Sequence, residues 1–207
     1  VYTQVPTILG EVPTENDALS QTAYLHMGLA YLQQADKTKA RMAFEQAAAS
    51  NADLKIKEQA AYNYALCIHE TSYSAFGESV TVFEKFLNDF PDSPYADKIS
   101  NYLVEVYMNT RSYDAALKSI ERIARPSKAI LEAKQKILFQ LGTQFFANTQ
   151  FEQAINYFNQ SVVLGQNNLQ TKADALYWLG ESYYRLNRMQ EAARNFNEYL
   201  TLTQQRN

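Results

Sequence analysis

His26, His69 and Cys67 are the side chains of this 207-residue chain best suited to proton transfer, metal ligation or thiolate attack near neutral pH. His26 and His69 are far apart in sequence, and no His/Cys cluster has the spacing of a metal site. Phosphate chemistry needs a glycine-rich turn that brings backbone N–H groups to the anion, and neither G-x-x-x-x-G-K-[ST] nor G-x-G-x-x-G occurs. The G-x-S-x-G nucleophile elbow is absent. Acidic pairs such as Glu45 with Asp53, or Glu152 with Glu191, share no motif and read as solvated helix faces. His69 reads as a plain surface or groove side chain, and Cys67 as a buried thiol. The expectation is a chain that is not an enzyme and holds neither metal nor cofactor.

With catalysis set aside, binding is the chemistry that remains, and binding depends on what positions the side chains. The most regular stretch is Ala173–Leu200, ADALYWLGESYYRLNRMQEAARNFNEYL. Leu176, Leu179, Gly180 and Tyr183 fall on one helical stripe, and Ala192, Phe196 and Tyr199 on a second, with a tight turn at Leu186-Asn187-Arg188. A glycine inside a helix costs about 1 kcal/mol against alanine, so Gly180 implies a close approach by the partner helix. The pattern recurs upstream as Tyr24, Met27, Gly28, Tyr31 with Ala40, Phe44, Ala47. It recurs as Ala61, Tyr64, Ala65, Ile68 with Ser79, Phe83, Phe86, and as Ser100, Leu103, Val104, Tyr107 with Ala116, Ile120, Ile123. A fourth copy is Leu138, Leu141, Gly142, Phe145 with Ala154, Phe158, Ser161. The glycine-equivalent positions 28, 65, 104, 142 and 180 are spaced by 37, 39, 38 and 38 residues. Repeat two carries about two extra residues between its helices, around Ser72–Gly77.

This spacing resembles the tetratricopeptide repeat, W-x2-L-G-x2-Y followed by A-x3-F, with Leu176 at the Trp place. The resemblance implies an all-α, right-handed α-solenoid of about five helical hairpins, ten helices and no sheet. Residues 1–14 read as a tail or the end of a preceding element. The repeats fall at about 21–54, 58–91, 97–130, 135–168 and 173–206. Helix starts are expected from a capping box at Thr14 and Asp17, from Asp36, from Ser93 with Pro94 as first helical residue, and from Ser127 after Pro126. Gly165-Gln166-Asn167-Asn168 closes the fourth repeat. Each hairpin exposes apolar groups on both outer faces, so neighbours must cover them, and stability becomes a sum of repeat and interface terms.

In that family the first helix of each repeat lines a concave groove for extended peptides or partner helices. The resemblance carries this groove to Leu25, Leu29 and Leu32, then Tyr62, Leu66 and His69. It continues through Lys98, Asn101, Glu105 and Met108, then Lys136, Phe139, Thr143 and Phe146, and ends with Asp174, Tyr177, Glu181 and Tyr184. Some of these, Leu25, Leu29 and Tyr62 above all, could instead pack inside. Chaperone-binding members use a Lys/Asn two-carboxylate clamp on the same helices, but Leu25, Tyr62, Asn101, Phe139 and Tyr177 occupy the positions that would supply the lysine. An amphipathic or apolar segment fits this groove better than an acidic chain end. Two function classes follow: a protein–protein interaction scaffold that is part of a larger protein, or a ligand-sensing or glycan-binding module that uses the groove aromatics.

Composition narrows the partner. A net charge of −3 argues against nucleic acid, which calls for a basic face. One cysteine excludes an internal disulfide framework. No apolar run approaches the roughly 20 residues of a membrane span, and no signal peptide is visible. The chain opens on Val1, which suggests a processed or excised chain. The last helix carries Phe196, Tyr199, Leu200 and Leu202 with no polar helix after it, so homo-oligomerisation through this uncapped repeat is a further expectation. The phrase F-L-N-D-F-P-D-S-P-Y-A at 86–96 resembles repeats of bacterial cell-envelope proteins, the outer-membrane assembly lipoproteins and tol-pal accessory proteins. That resemblance implies a periplasmic or envelope scaffold, with a cytoplasmic setting as the alternative, since related repeats also occur in cytoplasmic proteins.

Overall fold

A computed structural model of the chain describes residues 15–72 and 75–204. The chain divides into two units, residues 1–99 and 100–207, and its described residues form ten α-helices and no strand. The first unit contains α1 (Glu15–Gln33), α2 (Lys37–Ala49), α3 (Leu54–Thr71) and α4 (Val80–Asp89). The first turn of α5 (Ala96–Asn109) also belongs to it, and the rest of α5 belongs to the second unit. There α6 (Tyr113–Glu121), α7 (Lys128–Ala147), α8 (Phe151–Val163), α9 (Leu169–Arg185) and α10 (Met189–Gln204) follow. The tail expected before Glu15 and the capping residue Thr14 lie outside the described residues.

Three of the hairpins are closed by the same turn. Ala35, Thr149 and Asn187 adopt left-handed backbone, with φ of 57°, 59° and 59°. In each case the following N–H, of Asp36, Gln150 and Arg188, donates 2.9 Å back to the carbonyl of Tyr31, Phe145 and Tyr183. Asp36 caps α2 by accepting from Lys39 N–H at 3.1 Å, and Ser127 caps α7 through Ile130 N–H at 3.3 Å, as expected. Asn168 caps α9 through Thr171 N–H at 2.9 Å, after the short 3-10 turn Gly165–Asn167. The helix after the prolines starts later than expected. Ser93 accepts from Tyr95 N–H at 3.1 Å, but α5 begins at Ala96, not Pro94. The extra residues of repeat two include the π-helical turn Ala75–Ser79, which leads directly into α4.

Glycine and phenylalanine form the core of three hairpins. A β-carbon on Gly28, Gly142 or Gly180 would meet the ring of Phe44, Phe158 or Phe196 at 2.5 Å. Around these contacts, the first unit buries Leu25, Ala40, Phe44, Ala47, Ala60 and Cys67 together. The second buries Ala154, Ile155, Phe158, Ala175, Leu176, Leu179, Tyr183 and Ala192. A polar tie links successive hairpins. Gln21 donates to Ala47 O at 3.1 Å and Ser50 O at 2.8 Å, and accepts from Asp53 N–H at 2.9 Å. Gln135, which stands the same seven residues before its glycine, donates to Asn168 O at 2.8 Å.

Two expectations about the core are corrected. Tyr24 and Met27 hold apolar-stripe positions, yet both are 39% exposed, because no described residue lies over that side of α1. On α10, Phe196, Tyr199 and Leu202 turn inward onto the core, so Leu200, 50% exposed, is the large apolar group left from the expected bare end. Its outward neighbours Gln190, Arg194, Asn197, Glu198 and Thr201 are polar.

Candidate functional site

The groove side chains divide between the two units. In the first unit Leu25 and Tyr62 are buried, 4% and 8% exposed, so neither is available to a partner. Leu25 packs with Ala60 and Ala47. Tyr62 stacks on Tyr95, with ring centroids 4.1 Å apart and planes 11° apart, and its ring is tilted against Phe86. His69 is half-buried, its Nδ1 3.2 Å from Ser79 Oγ and its ring 5.2 Å from that of Phe83. It serves to anchor the π-helical turn to α3. Lys98, Asn101, Glu105 and Met108 are exposed along α5, Lys98 in the first unit and the other three in the second.

On α7 and α9 of the second unit the expected residues converge. Positions 136, 139, 143 and 146 on α7 and 174, 177, 181 and 184 on α9 follow the same helical offsets, so each set forms one stripe. Phe146 meets Trp178 edge to face, with centroids 5.0 Å apart and planes at 68°, and meets Phe151 at 5.1 Å. Tyr177 meets the same tryptophan edge to face at 5.2 Å and 85°, and also touches Phe196 and Tyr199. Phe139 leans on Phe158 at 5.7 Å. The result is a seam of rings, half-buried at Phe139, Phe146 and Trp178, that surfaces at Tyr177 and Tyr184, 36% and 55% exposed.

Charged groups edge the seam. The Arg185 guanidinium lies 5.8 Å over the Phe146 ring, a cation–π arrangement. Tyr177 O–H donates to Glu181 Oε1 at 3.4 Å; the Glu181 charge, with partial burial, raises the phenol above its ordinary pKa. Lys136 pairs with Glu132 at 3.2 Å, and Asn168 Nδ2 donates to Glu132 Oε1 at 2.9 Å. That amide bond, supported by Lys136, holds the Glu132 carboxyl below its ordinary range. Asp174 accepts from Gln170 at 3.0 Å, and Thr143 turns its hydroxyl back to Gln140 O at 2.7 Å. The seam offers ring edges, one cation over a ring and scattered carboxylates, which suits non-covalent recognition. Among the described residues no group of three or more metal-ligating side chains gathers, and no helix is long and apolar enough to cross a membrane.

Trp178 is the ring of this seam that the sequence reading missed. It sits between the two stripes, one residue beyond Tyr177, and joins them. Its signal was its rarity: it is the one tryptophan of the chain, beside a tyrosine already placed on the groove.

Residues 139–207 and residues 21–54 each match a tetratricopeptide repeat model. Those two stretches thus carry tetratricopeptide repeats, and the aromatic seam lies within the longer match. No curated protein matches the sequence. Among solved structures, MamA from Desulfovibrio magneticus RS-1 is similar at 19% identity, TM-score 0.38, covering 90% of this chain and 96% of its own. MamA AMB-1 is similar at 21% identity, TM-score 0.38, covering 90% and 93%. A double mutant of MamA RS-1 gives 18% identity, TM-score 0.39, covering 91% and 97%. These similarities assign no ligand to this chain.

Proposed function

We propose that this chain is a non-catalytic protein-interaction module whose second unit binds an apolar or amphipathic segment of a protein partner along the α7/α9 seam. One observation carries the reading: Tyr177 and Tyr184 emerge on one stripe of α9, beside rings that are already desolvated. Aromatic anchors on a rigid, partly dry base are the composition of binding hot spots. Phe139 and Tyr177 stand where a two-carboxylate clamp would need lysine, so the seam suits apolar side chains. The edge-to-face packing favours insertion of side chains between rings over stacking of sugar rings on flat platforms, which sets the glycan reading second. The F-P-D-S-P-Y-A phrase supports a bacterial cell-envelope scaffold as the setting.

The test uses Trp178 as its own reporter. Peptides selected by phage display on the immobilised full chain are titrated while tryptophan emission is followed. Tyr177→Ala and Tyr184→Ala should each weaken binding by about tenfold with helical circular dichroism unchanged, while Leu54→Ala, at an exposed position of the other unit, has no effect. Selected peptides that bind both tyrosine variants as tightly as wild type, or a selection that enriches none, would overturn the proposal.

A further inference from the structure

We propose that the face formed by Tyr24, Met27 and Met42 in the first unit receives the outer side of α10, around Ala193 and Leu200, from a second copy of this chain, so that copies stack head to tail. Neither surface shares a residue with the peptide seam. Aligned on Gly180 and Gly28, Leu176, Leu179 and Tyr183 correspond to Tyr24, Met27 and Tyr31. Leu176 and Leu179 are 2% and 1% exposed, whereas Tyr24 and Met27 are 39% exposed each. What covers the interior pair is the preceding hairpin: Ile155, Phe158 and Val162 of α8 join the same cluster. Aligned on Gly142 and Gly180, Ile155 and Val162 correspond to Ala193 and Leu200, which α10 leaves exposed. Part of the surface that a neighbouring hairpin covers in the second unit is therefore left open on α1 and α2, and its counterpart positions Ala193 and Leu200 are left open on α10. Tyr24, Met27, Tyr31 and Met42 line a 430 Å³ cleft, ample for a leucine side chain.

Charge selects the orientation. Residues 1–99 hold 13 acidic and 7 basic side chains, and residues 100–207 hold 9 acidic and 12 basic, net −6 and +3. Head-to-tail stacking sets the acidic unit of one copy against the basic unit of the next, whereas head-to-head pairing sets two acidic units together. Such a contact is heterologous, so it propagates unless a ring closes.

Sedimentation velocity of the full chain over a wide concentration range tests this. Wild type should form species larger than a dimer at low salt and lose them as salt screens the contact. Met27→Glu and Leu200→Glu should each be monomeric, and Met42→Glu repeats the first on a second exposed residue. An equimolar mixture of Met27→Glu and Leu200→Glu should recover a one-to-one complex and stop there, since each variant keeps one intact face. A wild type that stays monomeric throughout, as it would if the chain's own N-terminal residues covered the face, would overturn the proposal. So would single variants that associate like wild type, or a mixture that fails to pair.

Discussion

The ring of Phe158 fills the volume that a side chain on Gly142 would need, with Cδ1 and Cε1 both 2.5 Å from where a β-carbon would stand. An alanine there gains about 1 kcal/mol of helix propensity but forces a buried ring off its seat, an overpacking that typically costs about 1–3 kcal/mol. The ring is fully buried and cannot swing into solvent, so overpacking prevails. Gly142→Ala should lower unfolding stability by up to about 2 kcal/mol in denaturant titrations. Adding Phe158→Leu should restore part of the loss. A Gly142→Ala variant more stable than wild type would mean that the ring has room.

This contact also explains why the hairpins were legible in the sequence. The same glycine–phenylalanine pairing recurs at 28/44 and 180/196, and a helix-interior glycine sixteen residues before a phenylalanine is hard to explain otherwise. Repeats two and three break the pattern in compensating ways. Ala65 is followed by a π-helical turn that re-phases Phe83, and Val104 faces a repeat whose second helix offers Ile120 in place of a ring. The site was less legible. A stripe of positions says which way a helix faces but not what a neighbouring loop lays over it. Tyr95, brought in by the proline-rich turn, buried Tyr62 in a way no periodicity could show.

The glutamine ties differ in how completely they are satisfied, and their variants should differ in turn. Gln21, 1% exposed, uses both its amide N–H groups and its oxygen. Truncating it leaves Asp53 N–H without its acceptor, so Gln21→Ala should cost about 1–3 kcal/mol. Gln135 makes one side-chain bond, and its Oε1 is buried without a partner, so Gln135→Ala should cost less. At the equivalent place in repeat two stands Glu58, whose Oε1 is likewise buried without a partner. The loop ahead of α5 contains Pro91 and Pro94, which have no N–H to give it. Glu58→Gln should leave stability unchanged or raise it. A loss above about 1 kcal/mol in that variant would show that the carboxylate has a role the amide cannot fill.

Ala35 and Thr149 hold the left-handed turn without being glycine. An L-residue pays about 1–2 kcal/mol for that backbone, while glycine adopts it freely and loses more chain entropy on folding. The two effects nearly offset, with the balance toward glycine because neither side chain is buried. Ala35→Gly and Thr149→Gly should each raise the thermal midpoint slightly, whereas Ala35→Val, β-branched at positive φ, should lower it by several degrees. Equal midpoints for the glycine and valine variants would contradict the turn geometry.

Glu132 ties the acid limb of stability to one contact. Asn168 Nδ2 donates to its carboxylate, Lys136 lies beside it, and both favour the charged form, so the native pKa is below that of the unfolded chain. A carboxyl shifted in this direction stabilises the fold fully above its unfolded value, about 4.3. That contribution fades as pH falls through the lowered native value, because below both values the proton is bound in either state. Glu132→Gln keeps an oxygen for Asn168 and removes the titration. Thermal midpoints of the two proteins should therefore differ in favour of wild type near neutral pH and converge in acid, the convergence falling below the ordinary glutamate range. The carboxylate is one-third exposed, so the gap should be small and should shrink further in high salt. A gap that stays constant from neutral pH into strong acid would show that the amide of Asn168 holds Glu132 no more tightly than water does.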